Sequence, residues 1–167
     1  MAATLGDLLL VLLHDRPGSS HELRQRHAAA LGPRNEVNIK RVEAALTRQQ
    51  RLGYVRTEEA LSRGRKRVWV LTDAGRRRGR DWLLEDGPGS EVEDVVVRAL
   101  IALAADGIDV EAVVGSGVAA LERRLPRPVA GGRHLGTIAE VRAAYEDETV
   151  KATLRWLRRL HARSQVA

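Results

Sequence analysis

Between Asn38 and Trp82 the apolar period of the chain changes twice, and each change is punctuated. Ile39, Val42, Ala45, Leu46 and Leu52 recur at helical spacing behind Asn38, a favourable N-cap. Gly53 stands where a helix end needs its left-handed residue. Tyr54-Val-Arg-Thr57 and Arg67-Val-Trp-Val-Leu71 are rich in β-formers and flank a polar, basic tip, Ser62 to Lys66, with Gly64 for the turn. Thr72 then caps a helix running through Trp82. The spacing predicts a helix, a β-hairpin with a basic tip and a second helix, closely spaced.

Two helices precede this unit. Leu5, Leu8, Leu9, Leu12 and Leu13 follow the spacing of one helix face, with Thr4 as N-cap and Asp15-Arg-Pro-Gly18 as the stop. Ser19 and Glu22 form an S-x-x-E capping box. The helix they open runs from about Ser20 to Leu31 and ends at Gly32-Pro33. Helix, helix, helix, strand, strand, helix in so short a span is the plan of a winged helix-turn-helix module.

The second half is read as helical throughout. Glu85-Asp-Gly-Pro-Gly89 has the composition of a linker. Ser90 and Glu93 suggest another capping box, leading a helix whose stripe is Val92, Val95, Val96, Ala99, Leu100 and Leu103. Val97 and Ile101 give it a second apolar face, and Gly107 ends it. Asp109 caps a helix holding Val110, Val113, Val114, Val118 and Leu121, in which Gly115 and Gly117 either weaken the helix or allow close packing. Pro126 to His134 is a loop, and Thr137 and Glu140 open a long last helix to about Ala162, roughly 38 Å at 1.5 Å per residue. Its stripe contains Ile138, Val141, Tyr145, Ala152, Trp156 and Leu160, more apolar surface than the local core needs. The expected organisation is mostly α with a small β-wing. A winged helix-turn-helix domain spans 1–84, a linker 85–89 and a helical dimerisation domain 90–167.

Charge is divided the same way. Up to Trp82 there are 17 Lys and Arg against 9 Asp and Glu, and from Leu83 onward 11 against 13. The excess of cations therefore belongs to the first half, as expected of a module that meets a polyanion joined to one that does not. Arginine supplies 25 of the 28 cations. A GC-rich genome explains Arg over Lys as well as a phosphate-binding role does, but not the placement in one half.

Other chemistries find little to work with. The absence of cysteine excludes a disulfide scaffold, a thiolate metal site and a cysteine nucleophile. His14, His21, His27, His134 and His161 lack metal-ligand spacing, and no P-loop or dinucleotide fingerprint occurs. Gly115-Ser-Gly117 has no preceding strand and is no nucleophile elbow. No catalytic residue, metal or cofactor is expected. The longest apolar run, Leu8 to Leu13, is far short of the ~20 residues of a membrane span. The N-terminus carries Asp7 and no basic segment, so a cytoplasmic protein without a membrane partner is expected.

The run Val37-Asn-Ile-Lys-Arg-Val-Glu-Ala-Ala-Leu46, then Arg51-Leu-Gly-Tyr-Val55, then Gly64-Arg-Lys-Arg-Val-Trp-Val-Leu-Thr-Asp-Ala-Gly75, resembles the PadR family of bacterial transcriptional regulators. The resemblance spans roughly residues 5 to 84 and is most specific from the wing into the following helix. Where such regulators usually carry a Tyr-Pro pair on the recognition helix this chain has Glu43-Ala44, and His21 replaces the usual aromatic of the second helix. The resemblance implies a homodimer held by C-terminal helices, repression of genes, and a small hydrophobic or aromatic effector at the dimer interface.

Two elements point to double-stranded DNA on physical grounds. A helix N-terminus fits the major groove, where Asn38, Lys40, Arg41, Ala44 and Arg48 would reach base edges or phosphates. A basic wing tip, Arg63, Arg65, Lys66 and Arg67, would grip phosphate or the minor groove. Arg76, Arg77, Arg78 and Arg80 either touch phosphate or form a solvated helix face. Trp69 and Tyr54 are expected in the core and Trp82 at the boundary between the halves. Val96, Leu100, Tyr145, Ala152, Trp156 and Leu160 are the expected dimer surface and candidate effector lining. The expected operator is pseudo-palindromic. A winged-helix adaptor that binds protein instead of specific DNA is the alternative.

Overall fold

The computed structural model describes residues 4–59, 67–85, 91–125 and 137–164. In order they form α1 (Leu5–Asp15), α2 (Ser20–Leu31), a single 3-10 turn (Pro33–Asn35), α3 (Ile39–Arg51), β1 (Val55–Glu59), β2 (Arg67–Leu71), α4 (Asp73–Leu84), α5 (Val92–Leu103), α6 (Val110–Arg124) and α7 (Ile138–Ser164). The chain is mostly α with one two-stranded antiparallel wing. Outside the described residues lie the wing tip Ser62 to Lys66, most of the 85–89 linker, Ser90 and the loop Pro126 to His134.

Local chemistry sets most of the helix starts. Thr4 Oγ1 accepts from the Asp7 N–H at 3.2 Å, Asn38 Oδ1 from Arg41 at 2.9 Å and Asp109 Oδ1 from Ala112 at 2.9 Å. The Ser19–Glu22 and Thr137–Glu140 boxes both close reciprocally. Each occupies backbone donors that a first helical turn leaves orphaned. α5 differs: Glu91 stands at its cap position without a side-chain cap, and Ser90 of the expected Ser90–Glu93 box lies outside the described residues.

The wing is tied down at two points. Val55 lies opposite Leu71, Thr57 opposite Trp69 and Glu59 opposite Arg67. Gly18 adds one bridge to the free side of β2, exchanging both backbone hydrogen bonds with Trp69 at 3.2 and 2.9 Å. The buried Trp69 indole donates to Ser20 Oγ at 3.0 Å, so one residue joins wing to α2. At the other end Thr72 caps α4 by accepting from Gly75 N–H at 3.1 Å, while its hydroxyl faces the Gly53 and Tyr54 carbonyls. A Cβ on Gly75 would lie 2.0 Å from the Tyr54 carbonyl oxygen. The Leu71-Thr-Asp-Ala-Gly75 run is thus a joint at which a helix start touches a strand entry.

α1 is the hub. Leu8 to Leu13 are all buried, and α1 packs on α2, α3, α4 and α5. Leu23, Val42, Leu46, Val55, Trp69, Leu71, Trp82 and Leu83 complete this core together with Ile101, Ala102 and Val113 from α5 and α6. A second core joins Val92, Val95 and Ala99 of α5, Val114 and Leu121 of α6, and Val150, Leu154 and Leu157 of α7. α5 and α6 therefore contribute to both. At their crossing Gly117 allows close approach, since a Cβ there would meet Val95 Cγ1 at 2.8 Å, whereas Gly115 faces open space.

Two stripes turn out differently from their sequence pattern. In α5 the buried face is Val92, Val95, Ala99, Ile101 and Ala102, with Val96 and Leu100 half-buried and Leu103 exposed. The same face buries Arg98, whose guanidinium lies over the Trp82 ring at 5.5 Å and donates to the Glu85 carbonyl at the end of α4. In α7 the packed residues are Val150, Leu154 and Leu157, while Ile138, Val141 and Tyr145 are exposed.

Candidate nucleic-acid interface

α2 ends at Gly32, whose φ of +78° suits glycine, and the 3-10 turn delivers the chain to Asn38. α3 seats on the molecule through Val42, Leu46 and the buried Gln49. At 3.6 residues per turn the opposite face carries Lys40, Ala44 and Arg51, flanked by Arg41 and Arg48, and all five are exposed. Ala44 lies one turn from both Lys40 and Arg48, so the centre of a cationic surface is small enough for close approach. Among the described residues no carboxylate pairs with Lys40, Arg41, Arg48 or Arg51. Asn38 is exposed, but its oxygen is committed to the cap. Arg67 opens β2, exposed, 6.0 Å from the Trp69 ring centroid. Arg63, Arg65 and Lys66 lie outside the described residues.

Several other cations of the first half are engaged in the fold. Arg24 pairs with Glu36 at 2.6 Å, and Arg56 pairs with Glu58. Arg26 donates to the carbonyls of Leu12, Arg16 and Pro17, closing the α1–α2 corner. Arg76 donates to the His14 carbonyl at 3.4 Å. Arg78 on α4 pairs with the buried Asp7 at 2.9 Å. Arg77 and Arg80 remain exposed on α4. Among the described residues the charge excess thus divides into guanidiniums engaged by carboxylates or backbone carbonyls and an unpaired set, which holds Lys40, Arg41, Arg48 and Arg51 on α3 and Arg34, Arg77 and Arg80 elsewhere.

A second row on α3 escaped the cation pattern. Ile39, Glu43 and Thr47, successive at one-turn spacing, line a groove of about 860 Å³ with His21, Arg67 and Trp69. It runs between α3 and the wing strand. The feature that could have disclosed it is Glu43 itself, the one carboxylate in α3.

The expected dimer and effector residues are spread over two elements. Val96 and Leu100 are half-buried on α5. On α7, Tyr145 is 72% exposed and Ile138 89%, Ala152 is exposed, and Trp156 and Leu160 are half-buried. Trp156 packs against the core that holds Val150, Leu154 and Leu157, whereas Ile138, Val141 and Tyr145 stand clear of it, so the first turns of α7 carry an uncovered apolar row. Among the described residues no three His, Asp or Glu side chains could hold a metal ion, and no helix is long and apolar enough to cross a membrane.

No family model matches the chain. No curated protein matches it either. Three solved structures of Bacillus subtilis PadR are similar to it. One is in complex with operator DNA, at 16% identity and a TM-score of 0.44, over 95% of this chain and 98% of the other. A second is in complex with p-coumaric acid, at 15% identity and a TM-score of 0.42, over 96% and 97%. The third is of the protein alone, at 16% identity and a TM-score of 0.40, over 97% of each.

Proposed function

We propose that this chain is a homodimeric, PadR-like transcriptional repressor that binds a pseudo-palindromic operator and is released by a small hydrophobic or aromatic effector. The observation that carries the DNA reading is the unpaired cationic face of α3, Lys40, Arg41, Arg48 and Arg51 around Ala44, beside a wing. A helix of this kind enters the major groove, and its cations neutralise phosphates whose condensed counterions are released. Arg41 reads a base, because it stands in the first turn of α3; the wing cations Arg63, Arg65, Lys66 and Arg67 hold the backbone. The uncovered apolar row of α7 supports a second copy as its cover. In such a dimer two recognition helices lie about 34–36 Å apart, one helical turn of DNA. The effector part rests on the family resemblance alone.

The test is selection from random duplex DNA at 50 and 200 mM salt. An inverted repeat is expected, with affinity falling on the order of 10³–10⁵ between the two conditions for ~6–10 phosphate contacts. Arg41→Ala is expected to relax the base preference at one position of each half-site. Tight binding without enrichment, or no DNA binding at all, would overturn the reading in favour of a protein-binding adaptor.

A further inference from the structure

α3 does not present one uniform basic surface. The row Lys40, Ala44, Arg48 and the neighbouring Arg51 carry the cations. The adjoining row, Ile39, Glu43 and Thr47, has an apolar side chain, a carboxylate and a hydroxyl, and no cation. Glu43 is exposed, and no hydrogen bond or ion pair engages it, although Lys40 stands one turn away and Arg67 lines the same groove. A carboxylate left free on a face that meets a polyanion repels every phosphate near it. That repulsion is offset only where the nucleic acid offers a donor, and in the major groove the donors are the amino groups of the base edges. Phosphate contacts position a protein on the duplex, and base contacts specify the sequence. The two rows of α3 divide along that line.

We infer that Glu43 is a specificity-determining residue that accepts a hydrogen bond from the N4 amino group of a cytosine in each half-site, an assignment that rests on the DNA reading above. Cytosine is favoured over adenine, the other base with a major-groove amino group. Adenine places its N7 acceptor beside that donor, against the second carboxylate oxygen; cytosine has no acceptor there. Position agrees with the assignment. Glu43 is the fifth residue of α3, within the N-terminal part of a recognition helix that reaches base edges. Ile39 and the methyl group of Thr47, one turn to either side, suit apolar contact with a thymine methyl next to that cytosine. Glu43 does not interrupt an otherwise cationic grip; it adds a cytosine selection to the base contact proposed for Arg41.

The experiment is the same random-duplex selection run in parallel on the full-length wild type, Glu43→Gln and Glu43→Ala, with helicity checked by circular dichroism. The wild type is expected to enrich cytosine at one position per half-site by on the order of 10-fold. Glu43→Gln should move that position toward adenine, because a primary amide pairs with N6 and N7 together. Glu43→Ala should flatten it and leave the other positions intact. An inverted repeat with identical preferences in all three proteins would overturn the role of Glu43 while sparing the DNA reading. So would a Glu43→Ala protein that binds every sequence more tightly by the same factor, since Glu43 would then only repel phosphate. A wild type that enriches nothing would defeat both readings together.

Discussion

Gly75 shows how a single residue governs the placement of the wing. Its Cα faces the Tyr54 carbonyl so closely that an added Cβ would lie 2.0 Å from the oxygen and 3.0 Å from Leu71 Cδ2. The first of these is backbone and cannot rotate away. Gly75→Ala is expected to cost about 1–3 kcal/mol, the range for overpacking a tight site, read as a lower urea midpoint at unchanged m-value. The caps at Ser19, Asn38, Asp109 and Thr137 were legible in the sequence because their partners lie within a few positions, whereas Gly75 meets a carbonyl distant in the chain. Buried polar groups were not legible. Asp7 finds Arg78 across 71 positions, Gln49 is covered by packing, and Arg98 is only 5% exposed although it lies in a stretch that reads as apolar helix. No local pattern encodes such pairings; they exist only after the elements have docked. Glu43 is the converse case, visible in the sequence as a departure from the family pattern and given meaning only by the groove it lines.

At the scale of the element, α7 carries the clearest consequence. It is a 27-residue helix, roughly 40 Å long, and its packed residues begin at Val150. The turns before Val150 present Ile138, Val141 and Tyr145 to solvent. Exposed apolar stripes of this kind mark association surfaces. Substituting Val141→Glu and Tyr145→Glu together is expected to convert the proposed dimer into a folded monomer in sedimentation, since both side chains are exposed on their own chain. A dimer that persists would move the interface elsewhere. The extents of α2, α6 and α7 and the return strand of the wing were readable from periodicity and punctuation. The buried face of α5 was not: valine, leucine, isoleucine and alanine surround that helix, so a 3.6-residue period does not select a side. The choice is made by α6, whose Gly117 admits Val95.

For the whole molecule, α5 and α6 bridge the two cores, and the charge division of the sequence is not a division of packing. Two histidines are carried by the helices of the first core. His27 is buried on α2, its Nδ1 without a hydrogen-bond partner among the described residues, and burial pulls its pKa below the ordinary 6.5. His14 at the end of α1 is lowered by burial first, then by the positive fields of Arg76 and Arg80. Both bind protons less readily folded than unfolded. Stability contributed by this difference is present above the unfolded pKa near 6.5 and is lost as the pH falls through it. The melting temperature should therefore drop between pH 7.5 and 5.5, and His27→Gln should shrink the drop; an unchanged slope in that variant would exclude His27 as a source. The three tryptophans occupy three different places: Trp69 between wing and α2, Trp82 beneath Arg98 where α4 meets α5, and Trp156 half-buried on α7 against the second core. The molecule is consequently labelled by its own fluorophores. Variants keeping one indole at a time would give separate emission signals for the wing, for the α4–α5 junction and for the seating of the last helix on the second core.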